Sequence, residues 1–267
     1  MSWHTLARRN LAVAALVGLA LAAATGLALV APRALAQASA LRVLASNGMK
    51  AVIDEIRPQL EGAAGQPLAI EFGTSATIRE RIDKGESFDA VVLTVETIDA
   101  LAKAGKVVPD SVNALGRTAV GVGVRAGVPK PDIGTADAMK KALLAAKSPT
   151  YVGAGAARAP VDRMLAALGI ADAIAAKVVV ARSVDEAIES VAAGHADMIL
   201  APTSEILPAK GVQFVGPLPA QFTSYISFAG AVSPMTASKQ AAERFVVELR
   251  RPGAASSYKA KGMELSQ

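Results

Sequence analysis

The stretch from Leu68 to Leu93, LAIEFGTSATIRERIDKGESFDAVVL, leaves few folds open to this chain. Alternating apolar residues stop at Gly73 and Thr74-Ser75 follow at once. Ile78 and Ile82 then recur at helical spacing before a second apolar run, Phe88 to Leu93. This pattern predicts strand, polar loop, helix, strand. Thr74 and Ser75 are suited to cap the helix. Their hydroxyls and the free N–H groups of the first turn would point off the strand end, where the helix dipole favours an anion without any lysine. One such loop is explained by capping alone. The same device recurs along the chain, and that recurrence points to a site.

From Leu41, LRVLAS reads as a strand and Ser46-Asn47-Gly48 as a loop. Met49, Val52, Ile53, Ile56 and Leu60 give one apolar helix face, with Pro58 standing unexplained inside it. Past Leu93, Thr94 caps a helix carrying Val95, Ile98 and Leu101, which closes at Gly105. Strands alternating with helices predict a parallel sheet covered on both faces. Ala119 to Val124 is a glycine-laced strand read as a crossing between lobes. Its Gly121 and Gly123 lack the third glycine and helix start of a dinucleotide fingerprint. Thr135 then caps a helix with Met139, Leu143 and Leu144.

The second half repeats this grammar. PTYVG opens into the loop Gly153 to Arg158 and a helix with Val161, Met164, Leu165 and Leu168 that ends at Gly169. VVVA is a strand, and Ser183 caps a helix holding Val184, Ile188 and Val191. Met198 to Ala201 runs into Pro202-Thr203-Ser204-Glu205. Tyr225 to Val232 reads as a strand returning to the first lobe, finished by helices over 236–249 and 254–261. The expected division is 37–117 plus 229–267 for lobe 1 and 118–228 for lobe 2. Ligands on open α/β sheets sit at the carboxyl ends of the strands, so the polar strand-end loops are where a site belongs.

The first 36 residues read as a targeting segment. Arg8-Arg9 precede an Ala/Leu/Val run from Leu11 to Val30, Pro32 breaks the helix, and Ala34-Leu35-Ala36 supplies a cleavage site before Gln37. An uncleaved anchor is the alternative for a run of this length, and Pro32 with the A-x-A site favours removal. Arg8-Arg9-Asn10-Leu11 is a partial twin-arginine pattern, which leaves both export routes open. Of the 28 Lys and Arg residues, three lie in this segment with no acidic residue, so 25 face 23 Asp and Glu in the remaining 231 residues. The basic residues there are scattered singly along helices, which excludes a nucleic-acid footprint. The absence of cysteine removes disulfides, thiolate metal sites, a thiol nucleophile and a lipid-modified anchor. With His4 in the targeting segment, His195 is the one histidine left, so neither a two-histidine zinc site nor any metal or cofactor is expected. His195 lies in a turn and is given no role.

The opening LRVLASNGMKAVIDEI, the loop EFGTSATI, the blocks RIDKGESFDAVVLT and AAGHADMILAPTSEI, and the close RFVVELRRPGAASSYKAKGMEL resemble, in order and spacing, the periplasmic molybdate-binding-like solute-binding proteins of ABC importers. The resemblance covers the whole chain after the targeting segment. It implies a type II periplasmic binding protein fold, with two α/β lobes joined by two crossing strands that close over a small anion. It further implies a periplasmic monomer that hands its ligand to an inner-membrane permease. The oxyanion-holding serines of the family correspond to Ser46 and Ser75, and the second lobe's backbone N–H donors fall near Ala156 and Val184. Two departures bear on the ligand. Pro202 stands where molybdate binders carry a tyrosine, and Arg158 lies in a loop facing the expected cleft, where a guanidinium would pair with a carboxylate.

The candidate ligand-binding set is therefore Ser46, Asn47, Thr74, Ser75, Ala156, Arg158, Ser183, Val184 and Ser204. The expected function is capture of a carboxylate or molybdate-like oxyanion. The alternative is an isomerase of a small tricarboxylate, since aconitate isomerase resembles the same branch. Glu205 or Lys50 would then be the base, there being no cysteine or well-placed histidine.

Overall fold

The computed structural model describes residues 39–266, and the predicted targeting segment lies outside them. β1 (Leu41–Ser46) pairs in parallel with β2 (Leu68–Gly73) on one side and with β3 (Ala90–Thr94) on the other. Its apolar side chains are shared between two clusters, which is why Val43, Leu44 and Ala45 run consecutively. Leu41, Val43 and Ala45 pack with Met49, Val52 and Ile53 of α1 (Asn47–Glu55) and with Leu60 of α2 (Arg57–Ala64). On the opposite face Leu44 packs with Ile78 and Ile82 of α3 (Ser75–Asp83) and with Ile98 and Leu101 of α4 (Val95–Lys103).

Two local readings are corrected here. The expected loop at Ser46-Asn47-Gly48 is absent, because Ser46 is itself the extended cap residue (φ −65°, ψ 138°) and α1 starts at Asn47. The single helix expected through Leu60 breaks at Ile56. Pro58 is the second residue of α2, where its missing N–H costs nothing.

The sheet continues through β9 (Tyr225–Val232) to β4 (Asn113–Arg125) and on through β7 (Met198–Pro202) and β5 (Pro149–Val152) to β6 (Val179–Ala181), giving the order β2-β1-β3-β9-β4-β7-β5-β6. The 13-residue β4 serves two sets of partners. Its first half pairs with β9 and with β10 (Met263–Leu265). Its second half pairs with β7 and with β8 (Val212–Pro217). Beyond β7, β5 and β6 extend the sheet in parallel. The expected all-parallel pairing therefore holds only inside each run of strands and helices. A strand that leaves one half and a strand that returns to it run in opposite directions, so β4 and β9 are antiparallel to each other and β9 is antiparallel to β3.

With neighbours on both edges and both faces, β4 has no room for side chains at its glycines. A Cβ on Gly123 would stand 2.9 Å from Ile199, Ile206 and Val212, and one on Gly121 would stand 2.7 Å from the Phe214 ring. Around β5 and β7, α5 (Ala136–Ala145), α6 (Arg158–Ala167) and α7 (Ala171–Ala175) bury Met139, Leu143, Val161, Met164 and Ile174 in one cluster. α8 (Val184–Ala193) and α9 (Thr203–Ile206) bury Ala187, Val191 and Ile206 in another. α10 (Lys239–Leu249) packs on α2 and β9, and α11 (Ala255–Ala260) follows it. Tyr258 of α11 is fully buried, with its hydroxyl donating to the Leu249 carbonyl at 3.1 Å.

Candidate functional site

On the β1–β3 side, each strand hands over directly to a helix. Ser46 is buried and its hydroxyl makes no capping bond. Thr74 is extended (φ −72°, ψ 151°), and its Oγ1 accepts from the Thr77 amide at 3.1 Å and lies 3.0 Å from Thr77 Oγ1. Its hydroxyl is thus spent on capping. Ser75 is different. Its buried Oγ accepts from the Thr94 amide at 3.1 Å, tying the end of β2 to the end of β3, and its own proton is left free to donate.

On the β5–β7 side, Ser183 caps α8 by accepting from the Glu186 amide at 3.2 Å, and Val184 is the first helical residue. Arg158 begins α6. Its Nε donates to Asp162 at 2.7 Å and its guanidinium lies 4.5 Å over the Tyr151 ring. Ala156, two residues earlier, packs against the core. Ser204 is buried in α9, where its amide donates to Thr118 Oγ1 at 3.2 Å. Thr118 in turn donates to the Gly262 carbonyl at 3.2 Å. Among the described residues the Ser204 hydroxyl itself has no hydrogen-bond partner.

These two sides face each other across a cleft of about 380 Å³. Asn47, Lys50 and Asp54 of α1 and Phe72 of β2 line one wall. Val184 and Asp185 of α8, Ser204 and Glu205 of α9, and Lys210 line the other. Of the sequence-predicted set, Asn47, Val184 and Ser204 are brought together here. Ser46 and Ser183 each precede a lining residue, and Thr74 and Ser75 follow Phe72 at the end of β2. Ala156 and Arg158 do not line this cleft. Phe72 and Asp185 line the cleft without a signal in the sequence, and Lys50 and Glu205, candidate bases in the sequence, line it too. Lys50 was legible: it stands three residues past Asn47, on the same helix face.

The charges in the cleft are arranged unevenly. The Lys50 ammonium pairs with Asp54 one turn along and lies 4.7 Å from the Phe72 ring centroid. Glu205 is half-buried and, among the described residues, makes no hydrogen bond or ion pair. Burial, aided by the negative charge of Asp185, pushes its carboxyl up to about 8, so the acid form predominates at neutral pH. No cluster of three or more His, Cys, Asp or Glu suited to a metal ion occurs among the described residues.

One curled sheet whose two halves are joined through the crossing strands β4 and β9, with helix starts gathered at a cleft, is the type II periplasmic binding protein fold. The chain belongs to the bacterial extracellular solute-binding protein family, which it matches over residues 41–264. It is 29% identical over 235 residues to an aconitate isomerase from Pseudomonas sp., a match covering 85% of this chain and 88% of that protein. Its fold is similar to that of the Azotobacter vinelandii periplasmic molybdate-binding protein, with a TM-score of 0.70 at 23% identity over 85% of this chain and all of the other. It is also similar to the sulfate-binding protein SubI from Mycobacterium tuberculosis H37Rv, with a TM-score of 0.64 at 23% identity over 84% of this chain and 86% of that one.

Proposed function

We propose that this protein captures a small anion, a carboxylate or a molybdate-like oxyanion, in the cleft between its lobes and delivers it to the permease of an ABC importer. The observation that carries this reading is the convergence of Asn47, Lys50 and Ser204 from opposite walls on one cleft of about 380 Å³, with the buried Ser204 hydroxyl lacking a hydrogen-bond partner among the described residues. Donors come from both walls, so a bound anion would draw the walls together, as hinge closure requires. The lobe boundaries we assign are 37–117 plus 229–267 and 118–228, with the protein acting as a periplasmic monomer after removal of residues 1–36. Between the two ligand classes, the aconitate isomerase relative favours a carboxylate. Calorimetry of the purified protein with trans-aconitate, citrate, molybdate and sulfate tests this. Binding of a carboxylate and not of molybdate is expected, and the reverse preference would assign the cleft to a tetrahedral oxyanion.

A second reading has one specific observation in its favour. Glu205 stands partnerless at the cleft with its proton affinity raised into the neutral range, as a group that gives and takes a proton must. With a bound tricarboxylate it would remove a proton from one carbon and return it to another, shifting the double bond. Incubation with cis- and trans-aconitate followed by NMR decides between the readings. Interconversion that is lost in Glu205→Gln would make the protein an isomerase, and none at stoichiometric protein would leave it a binder.

A further inference from the structure

Glu205 and Asp185 put two carboxyl groups into a cleft that we read as holding an anion, and this pairing needs an account. Four charged groups besides Glu205 line the cavity. Lys50 and Asp54 come from α1 and are paired with each other. Asp185 comes from α8 and Lys210 from the segment after α9. Among the described residues neither lysine forms an ion pair with Glu205, although both line the same space. The remaining elements packed on α9, which are β4, β7 and β8, bring glycine, threonine and apolar residues against it and no ionisable side chain into the cleft. An ionised Glu205 beside Asp185 would repel an incoming anion. The adjacent Ser204 is nine-tenths or more buried, and among the described residues its hydroxyl has no hydrogen-bond partner. A buried hydroxyl left without a partner carries a desolvation cost that a ligand oxygen removes.

We propose that Glu205 enters the complex as a neutral acid, its O–H and the Ser204 hydroxyl donating together to the ligand, so that capture of an anion is coupled to a proton held on Glu205. This rests on the anion-capture reading and adds a rule for when capture occurs. The proton comes from solvent, the ligand undergoes no covalent change, and release of the anion at higher pH returns the proton. The sign follows from the acid's raised proton affinity. Below about pH 8 the proton is already in place and binding takes up little. Above it the complex holds a proton that the free protein lacks, and affinity falls about tenfold for each further pH unit.

The test is calorimetry with trans-aconitate, a ligand that stays fully ionised over the range, between about pH 7 and pH 9.5 in buffers of different ionisation enthalpy. Wild type is expected to lose affinity about tenfold or more toward the upper end and to take up close to one proton per ligand there. Glu205→Gln, whose amide donates without titrating, is expected to bind several-fold more weakly at pH 7, to show no such fall, and to take up no proton. The two affinity curves then cross. A wild-type affinity that is flat with pH, or a Glu205→Gln protein with the same slope and proton count as wild type, overturns the proposal while leaving anion capture intact. No binding by wild type of trans-aconitate, citrate or molybdate overturns capture itself, and the coupling with it. The proton count on the wild type needs no variant to fold.

Discussion

On the anion-capture reading we propose, the two walls of the cleft would serve the ligand in different ways. The α1 wall offers an anion a helix start at Ser46-Asn47 and the ammonium of Lys50, whose charge is shared with Asp54. The opposite wall offers the partnerless Ser204 hydroxyl and, next to it, an acid that repels an anion unless it keeps its proton. The first wall carries Lys50 beside Asp54, whereas the second sets Lys210 against Asp185 and Glu205, whose burial favours the neutral acid. The difference teaches that burial of one carboxyl can give the two walls of a cleft different responses to pH.

The largest break in this contrast should come from Lys50→Ala. It removes the cation from the α1 wall, and losing a charge-assisted bond of ~1.5–3 kcal/mol should weaken carboxylate binding by about tenfold or more at every pH, as titration calorimetry would read. Asp185→Asn acts on the other wall. It withdraws the charge that helps raise the Glu205 carboxyl, so the pH at which affinity starts to fall should move down by up to about one unit. Unchanged pH dependence in that variant would mean burial alone sets the acid.

A smaller effect separates two serines by stability without ligand. Ser75→Ala strips the Thr94 amide of its acceptor and should cost ~0.5–1.5 kcal/mol in urea unfolding. Ser204→Ala deletes a hydroxyl with no partner, so it should leave the ligand-free protein as stable or slightly more so while weakening the complex. Arg158→Ala should matter least. With its guanidinium held by Asp162 and Tyr151 at an exposed position, the change in ligand affinity should stay within about twofold. A tenfold loss there would show that the loop at Ala156 reaches the ligand after all.

What the sequence made legible was whatever the backbone decides locally. Thr94, Thr135 and Ser183 were each read as helix starts and each is one, because capping involves residues three apart. The two-lobe α/β architecture was legible from the alternation of strand and helix patterns together with the resemblance. Opposition across the cleft was not. Which cap faces which depends on β4, whose partners lie far along the chain, and no periodicity encodes that. The acid form of Glu205 was hidden for a related reason, because a carboxyl's charge state depends on burial and on Asp185, which comes from a different element. The short strands β8 and β10 escaped notice because pairing with β4 is what makes them strands. Pro58 showed its meaning only once α1 and α2 parted at Ile56.

The long strand β4 also sets the order in which this chain can acquire its structure. Each of its four partners lies downstream of it, the last of them so far that Arg117 meets Glu264 across 147 residues. A ribosome that has released β1 to β4 has made a sheet with an open edge and a central strand with nothing beside it. Closing such distant pairs is slow, and until then the apolar strands stand exposed to other chains. In a protein wired in this way, the central pairings of the sheet form only once nearly the whole chain is present.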